Sequence, residues 1–175
     1  DFLKLLNHSK IITSLFLIAL MLSSTIPLMS SDVYAADGDI LKYITGFSGS
    51  WEVAFDSANN RMYVTNNNSD TVSVINTSTD AIIATISVGD FPMGIAFDSA
   101  NNRMYVTNRD DNTVSVINTS TNVVDATISP GQNGPHHIAF DSANNRMYVG
   151  NVGQNTYSVI NTSDNSVSNS SNLGA

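Results

Sequence analysis

The sequence of 175 residues contains no cysteine, which excludes disulfide bonds and thiolate chemistry from its structure and function. Positive charge is also scarce, because 7 Lys and Arg stand against 15 Asp and Glu and leave a formal net charge of -8. Proteins that bind nucleic acid usually carry a basic surface, so we expect no nucleic acid as a partner. An acidic balance of this size suits a soluble extracellular protein.

Long apolar runs are confined to the N-terminal region. Lys4 and Lys10 precede the apolar residues 11–22, and small residues follow as far as Ala35. A basic start, a short apolar stretch and a small-x-small cleavage site are typical of a secretory signal peptide. We therefore predict that residues 1–35 are a signal peptide, cut after Ala35, and that the protein is secreted or displayed at the cell surface. An uncleaved anchor is the alternative, but a spanning helix needs about 20 apolar residues, so we expect no stable span after processing.

The usual catalytic signatures are missing as well. The sequence has no Gly-rich phosphate loop, no His-Glu-x-x-His zinc motif and no Asp-x-Asp-x-Asp calcium loop. Beyond the predicted signal peptide, its only histidines are the adjacent His136 and His137. Adjacent side chains on an extended segment point to opposite faces, so we do not expect both to bind one ion. We expect no catalytic constellation, no metal and no cofactor.

Internal repetition is what the sequence has in abundance. The ten-residue segment 55–64 returns almost unchanged as 97–106 and again as 140–149, at a spacing of 42 or 43 residues. A repeat of this period indicates an array of similar supersecondary units. Residues that recur in every unit are expected to have a structural role and not to belong to one active site.

Each repeat is predicted to hold four short strands, which we designate a to d. Val, Ile, Tyr, Phe and Thr favour strands, and the intervening Asn, Asp and Ser favour turns. Four strands in about 40–45 residues match one blade of a β-propeller, which predicts an all-β segment of about three four-stranded antiparallel blades. Strand d is apolar on both faces, so we expect it to be covered on both sides. In the first repeat the strands are predicted at 51–55, 61–66, 71–76 and 81–88.

Two turn positions recur in all three repeats between strands a and b. An Asn just before strand b can adopt the positive φ that a bulged hairpin requires. An Asp at the end of strand a can accept backbone N–H bonds within the turn. We interpret these residues as structural, not catalytic: Asn60, Asn102, Asn145, Asp56, Asp98 and Asp141.

The second strand of the repeat resembles a known family signature. Residues 62–66 and 104–108 both read Met-Tyr-Val-Thr-Asn, whereas residues 148–151 depart from it as Tyr-Val-Gly-Asn. Residues 71–76, Thr-Val-Ser-Val-Ile-Asn, are similar to the third strand of the same family. The chain thus resembles the YVTN-type β-propeller repeat proteins over roughly residues 41–165. The resemblance implies a propeller of the kind found in surface-layer or secreted proteins of archaea and bacteria, and it says little about chemistry.

The repeats divide the mature region, residues 36–175, into three predicted blades. The blades run over about 47–89, 90–131 and 132–174; a d-like strand at 40–45 precedes them, and the last strand, at 166–173, is a poor d strand rich in Ser and Asn. Closed propellers usually have about four to eight blades. The sequence is therefore either part of a longer propeller or an open half that associates with a second copy. We expect further blades in the same chain or self-association.

Candidate binding residues gather at one predicted end of the blades. Antiparallel strands place the d–a and b–c loops together, and these loops differ most between repeats. Variation on a constant scaffold is how loops usually carry function. We predict ligand contacts from Trp51, Phe91, Met93, Arg109, His136 and His137. The function predicted is a binding or structural module for a protein, a glycan or a cell-envelope component. The alternative is a fragment of a secreted lyase, lactonase or oxidoreductase with its site in the propeller channel.

Glycosylation is a further expectation from sequence. Five sequons lie in the mature region, and three of them share the turn between strands c and d. Asn-Thr-Ser is also simply a good turn in an Asn-rich chain, and the two interpretations stay open. The sequon residues are Asn67, Asn76, Asn118, Asn161 and Asn169.

Overall fold

The computed structural model describes residues 43–169, which contain strands and turns and no helix. The strands form three four-stranded antiparallel sheets, each a simple meander in chain order. The predicted all-β fold of three antiparallel blades is therefore confirmed. No helix that could cross a membrane occurs within residues 43–169. The predicted signal peptide lies outside the described residues.

The three sheets correspond to the three repeats. Blade 1 comprises β1 (Ser50–Asp56), β2 (Arg61–Asn66), β3 (Thr71–Asn76) and β4 (Ala81–Ser87). Blade 2 comprises β5 (Pro92–Asp98), β6 (Arg103–Asn108), β7 (Thr113–Asn118) and β8 (Val123–Ile128). Blade 3 comprises β9 (Pro135–Asp141), β10 (Arg146–Asn151), β11 (Thr156–Asn161) and β12 (Val167–Asn169).

The two predicted terminal strands differ from the rest. Residues 43–45 form no strand, while 40–42 lie outside the described residues. At the other end, β12 covers only Val167–Asn169, and the remainder of the predicted strand lies outside the described residues. Ser and Asn are poor strand formers compared with the Ile and Val of β4 and β8.

The expectation that strand d is buried on both faces is wrong. Exposure alternates along β4, where Ile86 is buried and Ile83 is 47% exposed. The same alternation occurs in β8, where Val123 is exposed and Ile128 is buried. Strand d is the edge strand of its sheet. It therefore packs against a neighbouring blade with one face only, and an apolar sequence alone does not distinguish one covered face from two.

The turns between strands a and b form as the recurring Asn and Asp predict. The φ angles of Asn60, Asn102 and Asn145 are 52°, 53° and 54°. In the second repeat, Oδ1 of Asp98 accepts the backbone N–H groups of Ala100 and Asn101 at 2.9 and 3.2 Å. The Asp residues of the other two turns accept the same pair of bonds. These residues have the structural role that was expected of them.

Successive blades pack face to face. We call the face of a blade that packs on the following blade its leading face, and the opposite one its trailing face. Apolar side chains of the two faces interdigitate into one core between each pair of blades. The leading face of blade 1 presents Tyr63, Val72, Val74 and Ile86. The trailing face of blade 2 presents Ile95, Met104, Val106 and Ile117.

Candidate functional site

A β-bulge at the start of the first strand of each blade positions the candidate binding residues. In blade 1, Ser50 pairs with Asn66 and Val53 with Val64, which leaves two residues opposite the single Thr65. The pairing of β5 with β6 and of β9 with β10 shifts at the equivalent place. Bulges re-aim side chains and are frequent beside functional sites. The residue pairs in the three bulges are Trp51-Glu52, Met93-Gly94 and His136-His137.

The Thr of the repeat motif connects successive bulges. Oγ1 of Thr65 accepts the backbone N–H of Glu52 at 3.0 Å and donates to the carbonyl oxygen of Met93 at 2.9 Å. Thr107 repeats this arrangement, accepting from Gly94 and donating to His136 of the next blade. Each Thr thereby fixes one bulge against the next. Sequence reasoning missed these residues, although their recurrence in the motif was a visible signal.

Two further contacts bring the bulges of successive blades close together. A Cβ atom at Gly94 would collide with the backbone carbonyl oxygen of His136, so this close approach requires glycine. One blade earlier, the Glu52 carboxylate accepts the backbone N–H of Ile95 at 3.2 Å. Glu52 is the single Glu of the sequence, and it serves as a link between blades.

Side chains from all three bulges line one cavity of about 550 Å³, which we call the bulge cavity. Five of the six predicted binding residues line this cavity. The structure therefore brings together residues that lie up to 85 positions apart in the sequence. His137 lines a neighbouring cavity of about 280 Å³, which shares His136 and Val152 with the bulge cavity. The bulge cavity is lined by Trp51, Phe91, Met93, Arg109, Gly134, His136, Val152 and Gly153.

Aromatic rings and one arginine form half of the cavity wall. The rings of Trp51 and His136 meet edge to face with centroids 6.1 Å apart. The guanidinium of Arg109 lies 5.5 Å from the centre of the Phe91 ring, within range of a cation–π interaction. Met93 is buried, whereas Trp51 is 54% exposed. The exposed indole thus leaves a large apolar surface facing the solvent beside a positive charge.

Phe91 adopts a backbone conformation that its side chain disfavours. Its φ is 54°, in the left-handed region that costs a residue with a Cβ about 1–2 kcal/mol. The equivalent positions of the other two repeats are Gly49 and Gly134, with φ of 66° and 67°. The scaffold therefore requires a left-handed backbone conformation at this position, and the other two repeats provide it with glycine. Phe91 is accommodated at a cost, partly offset by its backbone N–H bond to Asp70 at 3.0 Å.

The two histidines lie closer together than strand alternation predicts. Their ring centroids are 4.3 Å apart, because the bulge interrupts the alternation of side chains. Burial lowers the pKa of His136, and the positive charges of His137 and Arg109 lower it further. Nδ1 of His136 is buried and has no hydrogen-bond partner among the described residues. Within residues 43–169, no group of three or more His, Asp or Glu side chains could hold a metal ion.

Acidic side chains surround the same end of the blades. Desolvation raises the pKa of Asp90, and the nearby carboxylates of Asp70, Asp110 and Asp111 raise it further. The guanidinium of Arg109 lies 3.9 Å from Asp110. The rim of the bulge cavity is therefore negative overall, apart from Arg109. Such a rim repels polyanionic ligands.

The predicted sequons have structural roles in the turns that contain them. Oδ1 of Asn76, Asn118 and Asn161 accepts the backbone N–H two residues ahead, at 2.9, 3.0 and 3.0 Å. Asn67 follows β2, at the same end as the bulges, and its backbone N–H donates to Gly49. Asn169 ends β12. These contacts support the turn interpretation, and glycosylation stays a prediction.

Comparisons with known proteins support the fold of the chain but indicate no function. No family model and no curated protein sequence matches the chain. Among solved structures, 731 chains match. One of them, Kuenenia stuttgartiensis hydrazine synthase, superposes with a TM-score of 0.67 at 20% sequence identity, over 80% of this chain and 40% of that chain. The chain thus spans less than half of the hydrazine synthase chain. At this identity, the likeness supports a propeller-like arrangement of four-stranded sheets and nothing about activity.

Proposed function

We propose that this protein is an extracellular β-propeller module of the YVTN type that binds a ligand in the bulge cavity. The motif in residues 62–66 and 104–108 supports the family assignment, and the repeated four-stranded sheets fit it. Binding modules commonly place variable side chains on a constant scaffold. Here the three bulges share one backbone geometry but present three different side chains, Trp51, Met93 and His136.

The conformation of Phe91 is the observation that carries this proposal. Local strain that the scaffold does not require tends to occur where a side chain serves function. In the first and third repeats, glycine provides the positive φ that the scaffold requires at this position. In the second repeat, Phe91 takes its place. The Phe91 ring lines the bulge cavity beside Arg109. A side chain kept at an energetic cost, facing a cavity, indicates recognition.

The chemistry of the cavity favours an uncharged glycan as the ligand. The exposed Trp51 indole offers a flat apolar surface, and the half-exposed guanidinium of Arg109 offers hydrogen bonds. A sugar ring presents an apolar face and a hydroxyl edge, which match these groups. The cavity volume of about 550 Å³ lies within the range typical of small-ligand sites. The negative rim disfavours acidic polymers.

Trp51 is the sole tryptophan of the sequence, so its fluorescence reports directly on the cavity. We would titrate the protein with neutral oligosaccharides of glucose, mannose and N-acetylglucosamine. Binding should change the emission of Trp51, and Phe91→Gly should weaken binding at least about tenfold with an unchanged or raised melting temperature. Asn102→Gly is the matched control, because it also places glycine at a positive φ, in the turn at the other end of the strands. It should leave binding unchanged.

Three results would contradict the binding proposal. If none of these oligosaccharides binds, the glycan assignment fails. If calorimetry shows that one binds equally well to Phe91→Gly and to Trp51→Phe, the site lies elsewhere on the protein. Loss of binding together with a large fall in melting temperature would show that Phe91 serves the core and not recognition.

The sequence of the N-terminal region is what supports the extracellular location. The basic residues, the short apolar run and the small residues before Ala35 support export with cleavage. N-terminal sequencing of the exported protein should begin at Ala36. A membrane-bound product that retains residues 11–22 would contradict this part of the proposal.

A further inference from the structure

The loop that leads into blade 3 contains the single Asn-Gly pair of the sequence, Asn133-Gly134. Asparagine side chains are chemically labile. The amide carbon of an asparagine is most open to attack by the next backbone nitrogen when the following residue has no Cβ, and every other asparagine of the sequence is followed by a residue with a side chain. Asn133 is exposed, between β8 and β9, so water reaches its amide.

The backbone nitrogen of Gly134 is held by the preceding blade. Its N–H donates to Oδ1 of Asn112 at 2.8 Å. The same bond joins blades 1 and 2, where Oδ1 of Asp70 accepts the backbone N–H of Phe91 at 3.0 Å. Attack on the Asn133 amide requires the Gly134 nitrogen to lose its proton, and a hydrogen bond to the protonated form opposes that loss. Asn112 therefore slows the reaction in the folded protein.

This restraint is incomplete. The bond between Gly134 and Asn112 is exposed to solvent, and the carbonyl oxygen of Asn133 accepts the backbone N–H of Gly153 only at 3.3 Å. Exposed hydrogen bonds of loops open locally far more often than the whole fold unfolds. The loop therefore opens from time to time while the strands of the neighbouring blades stay paired.

We propose that Asn133 is a site of spontaneous deamidation in this protein and that Asn112 controls the rate of the reaction. The nitrogen of Gly134 forms a bond to the side-chain amide carbon of Asn133, and the amide nitrogen leaves as ammonia with the proton that Gly134 gives up. Water then opens the resulting cyclic imide at one or the other of its carbonyl groups. The products are an aspartate and an isoaspartate at position 133. Water is the only co-reactant, and nothing is oxidised or reduced.

The other two repeats show that the aspartate product fits the fold. Asp90 precedes the left-handed Phe91 in blade 2, and Ser48 precedes the left-handed Gly49 in blade 1. The carbonyl oxygens of Asp90 and Ser48 each accept a backbone N–H at 3.3 Å, as that of Asn133 does. An aspartate at position 133 therefore reproduces the arrangement that blade 2 already has.

The isoaspartate product does not fit, because it directs the main chain through the side chain and lengthens it by one methylene group. The backbone on both sides is fixed, since Asn133 accepts from Gly153 and Gly134 accepts from Val152 at 2.9 Å. The two segments are also close together: a Cβ at Gly153 would lie 3.0 Å from the carbonyl oxygen of Asn133. Isoaspartate must therefore break at least one of these bonds. Gly134, Val152 and Gly153 line the bulge cavity, so its wall changes with them.

Mass spectrometry of the full chain, incubated in mildly alkaline buffer, tests the proposal without any ligand. Trypsin cleaves after Arg109 and Arg146, so one peptide, residues 110–146, contains Asn133 together with five other asparagines as internal references. We expect the conversion of amide to acid to occur first at Asn133, and electron-transfer fragmentation should identify both products. Asn133→Ser, which introduces the residue that blade 1 has at this position, should abolish the conversion.

Two variants of Asn112 test its control of the rate. Asn112→Ala removes the acceptor and should accelerate the conversion of Asn133 several-fold. Asn112→Asp keeps an acceptor, as Asp70 does in blade 1, and should leave the conversion slow. Asn155→Ala is the matched control, because it places alanine at the equivalent positive φ in blade 3, 51° against 57° at Asn112. It should leave the rate at Asn133 unchanged.

Three outcomes would overturn the proposal. If Asn133 stays intact while other asparagines of the same peptide convert, it is not the labile site. If Asn133 converts at the wild-type rate in Asn112→Ala, Asn112 exerts no control. If Asn112→Ala accelerates conversion at all asparagines of the peptide alike, the variant acts by unfolding the chain. None of these measurements involves ligand binding, so failure of this proposal is distinguishable from failure of the proposed function.

Discussion

The hydroxyl oxygen of Thr107 lies 2.7 Å from the backbone carbonyl oxygen of His136, across the boundary between blades 2 and 3. The same hydroxyl accepts the backbone N–H of Gly94 at 2.8 Å. Thr107 is fully buried, so both bonds form away from water. The Thr of the repeat motif thereby determines how successive bulges stand relative to each other. It connects the scaffold directly to the shape of the bulge cavity.

We predict that Thr107→Val, which retains the shape of the side chain, lowers the free energy of unfolding by about 2 kcal/mol. The substitution leaves a buried carbonyl oxygen and a buried N–H without partners, which costs about 1–3 kcal/mol. Urea denaturation would measure the change. Thr127→Val, at an exposed position of β8, is the matched control and should have almost no effect. Equal stability of the two variants would show that the Thr107 bonds contribute nothing.

The aspartates of the a–b turns accept the same hydrogen bonds in a buried environment in blade 2 and in an exposed environment in blade 3. Asp98 is fully buried and accepts three bonds, from the backbone N–H groups of Ala100 and Asn101 and from Nδ2 of Asn101. Asp141 accepts the equivalent three bonds in blade 3, in exposed surroundings. We predict that Asp98→Ala lowers the free energy of unfolding by about 2–3 kcal/mol, because buried donors lose their acceptor. Asp141→Ala should cause a clearly smaller fall in the same denaturation experiment.

Two buried tyrosines make the fold sensitive to alkali. Burial raises the pKa of Tyr63 and Tyr105 above the ordinary value of 10.0. Because their pKa values are higher in the folded state, their contribution to stability is complete below about pH 10. It is lost as the pH rises further, since the unfolded chain releases these protons first. Absorbance at 295 nm should show two phenols that ionise above pH 10, and the double variant Tyr63→Phe, Tyr105→Phe should lose that phase.

The repeat made most of the fold predictable. Its period indicates blades, the Asn with positive φ and the capping Asp indicate the a–b turns, and the strand bounds predicted for blade 1 agree with β1 to β4 within a residue or two. Burial of strand d was not predictable, because an apolar edge strand and an apolar central strand have the same composition. Both faces of Ile82-Ile83 are apolar in sequence, but a neighbouring blade covers only one face.

The candidate site was predictable as a set of residues but not as a geometry. Grouping the d–a and b–c loops at one end correctly brought Trp51, Met93 and His136 together. The bulges that orient these side chains cannot be predicted from amino-acid composition, because a bulge is a shift in the pairing between two strands. For the same reason, the close approach of His136 and His137 was missed. The significance of Phe91 emerges only when its φ is compared with that of the glycines in the other repeats.

The last prediction concerns the protonation of His136. Burial lowers its pKa, and the positive charges of His137 and Arg109 lower it further, so the side chain should titrate below its ordinary value of 6.5. Because the folded-state pKa is depressed, the neutral imidazole is retained at neutral pH. The unfolded chain takes up the proton first as the pH falls through 6.5, and stability then decreases until the folded-state pKa is passed.

NMR titration of the imidazole would measure this pKa. We expect Arg109→Gln to raise it, because the variant removes a positive charge beside the ring. Arg103→Gln removes the same charge from the first residue of β6, at the opposite end of the strand, and should leave the pKa of His136 unchanged. If the bulge cavity binds its ligand through the neutral imidazole, affinity should fall as the pH drops below the measured pKa. In Arg109→Gln that loss should begin at a higher pH. A pKa for His136 at or above 6.5 in the wild type would contradict the buried, positively flanked position that the structure gives it.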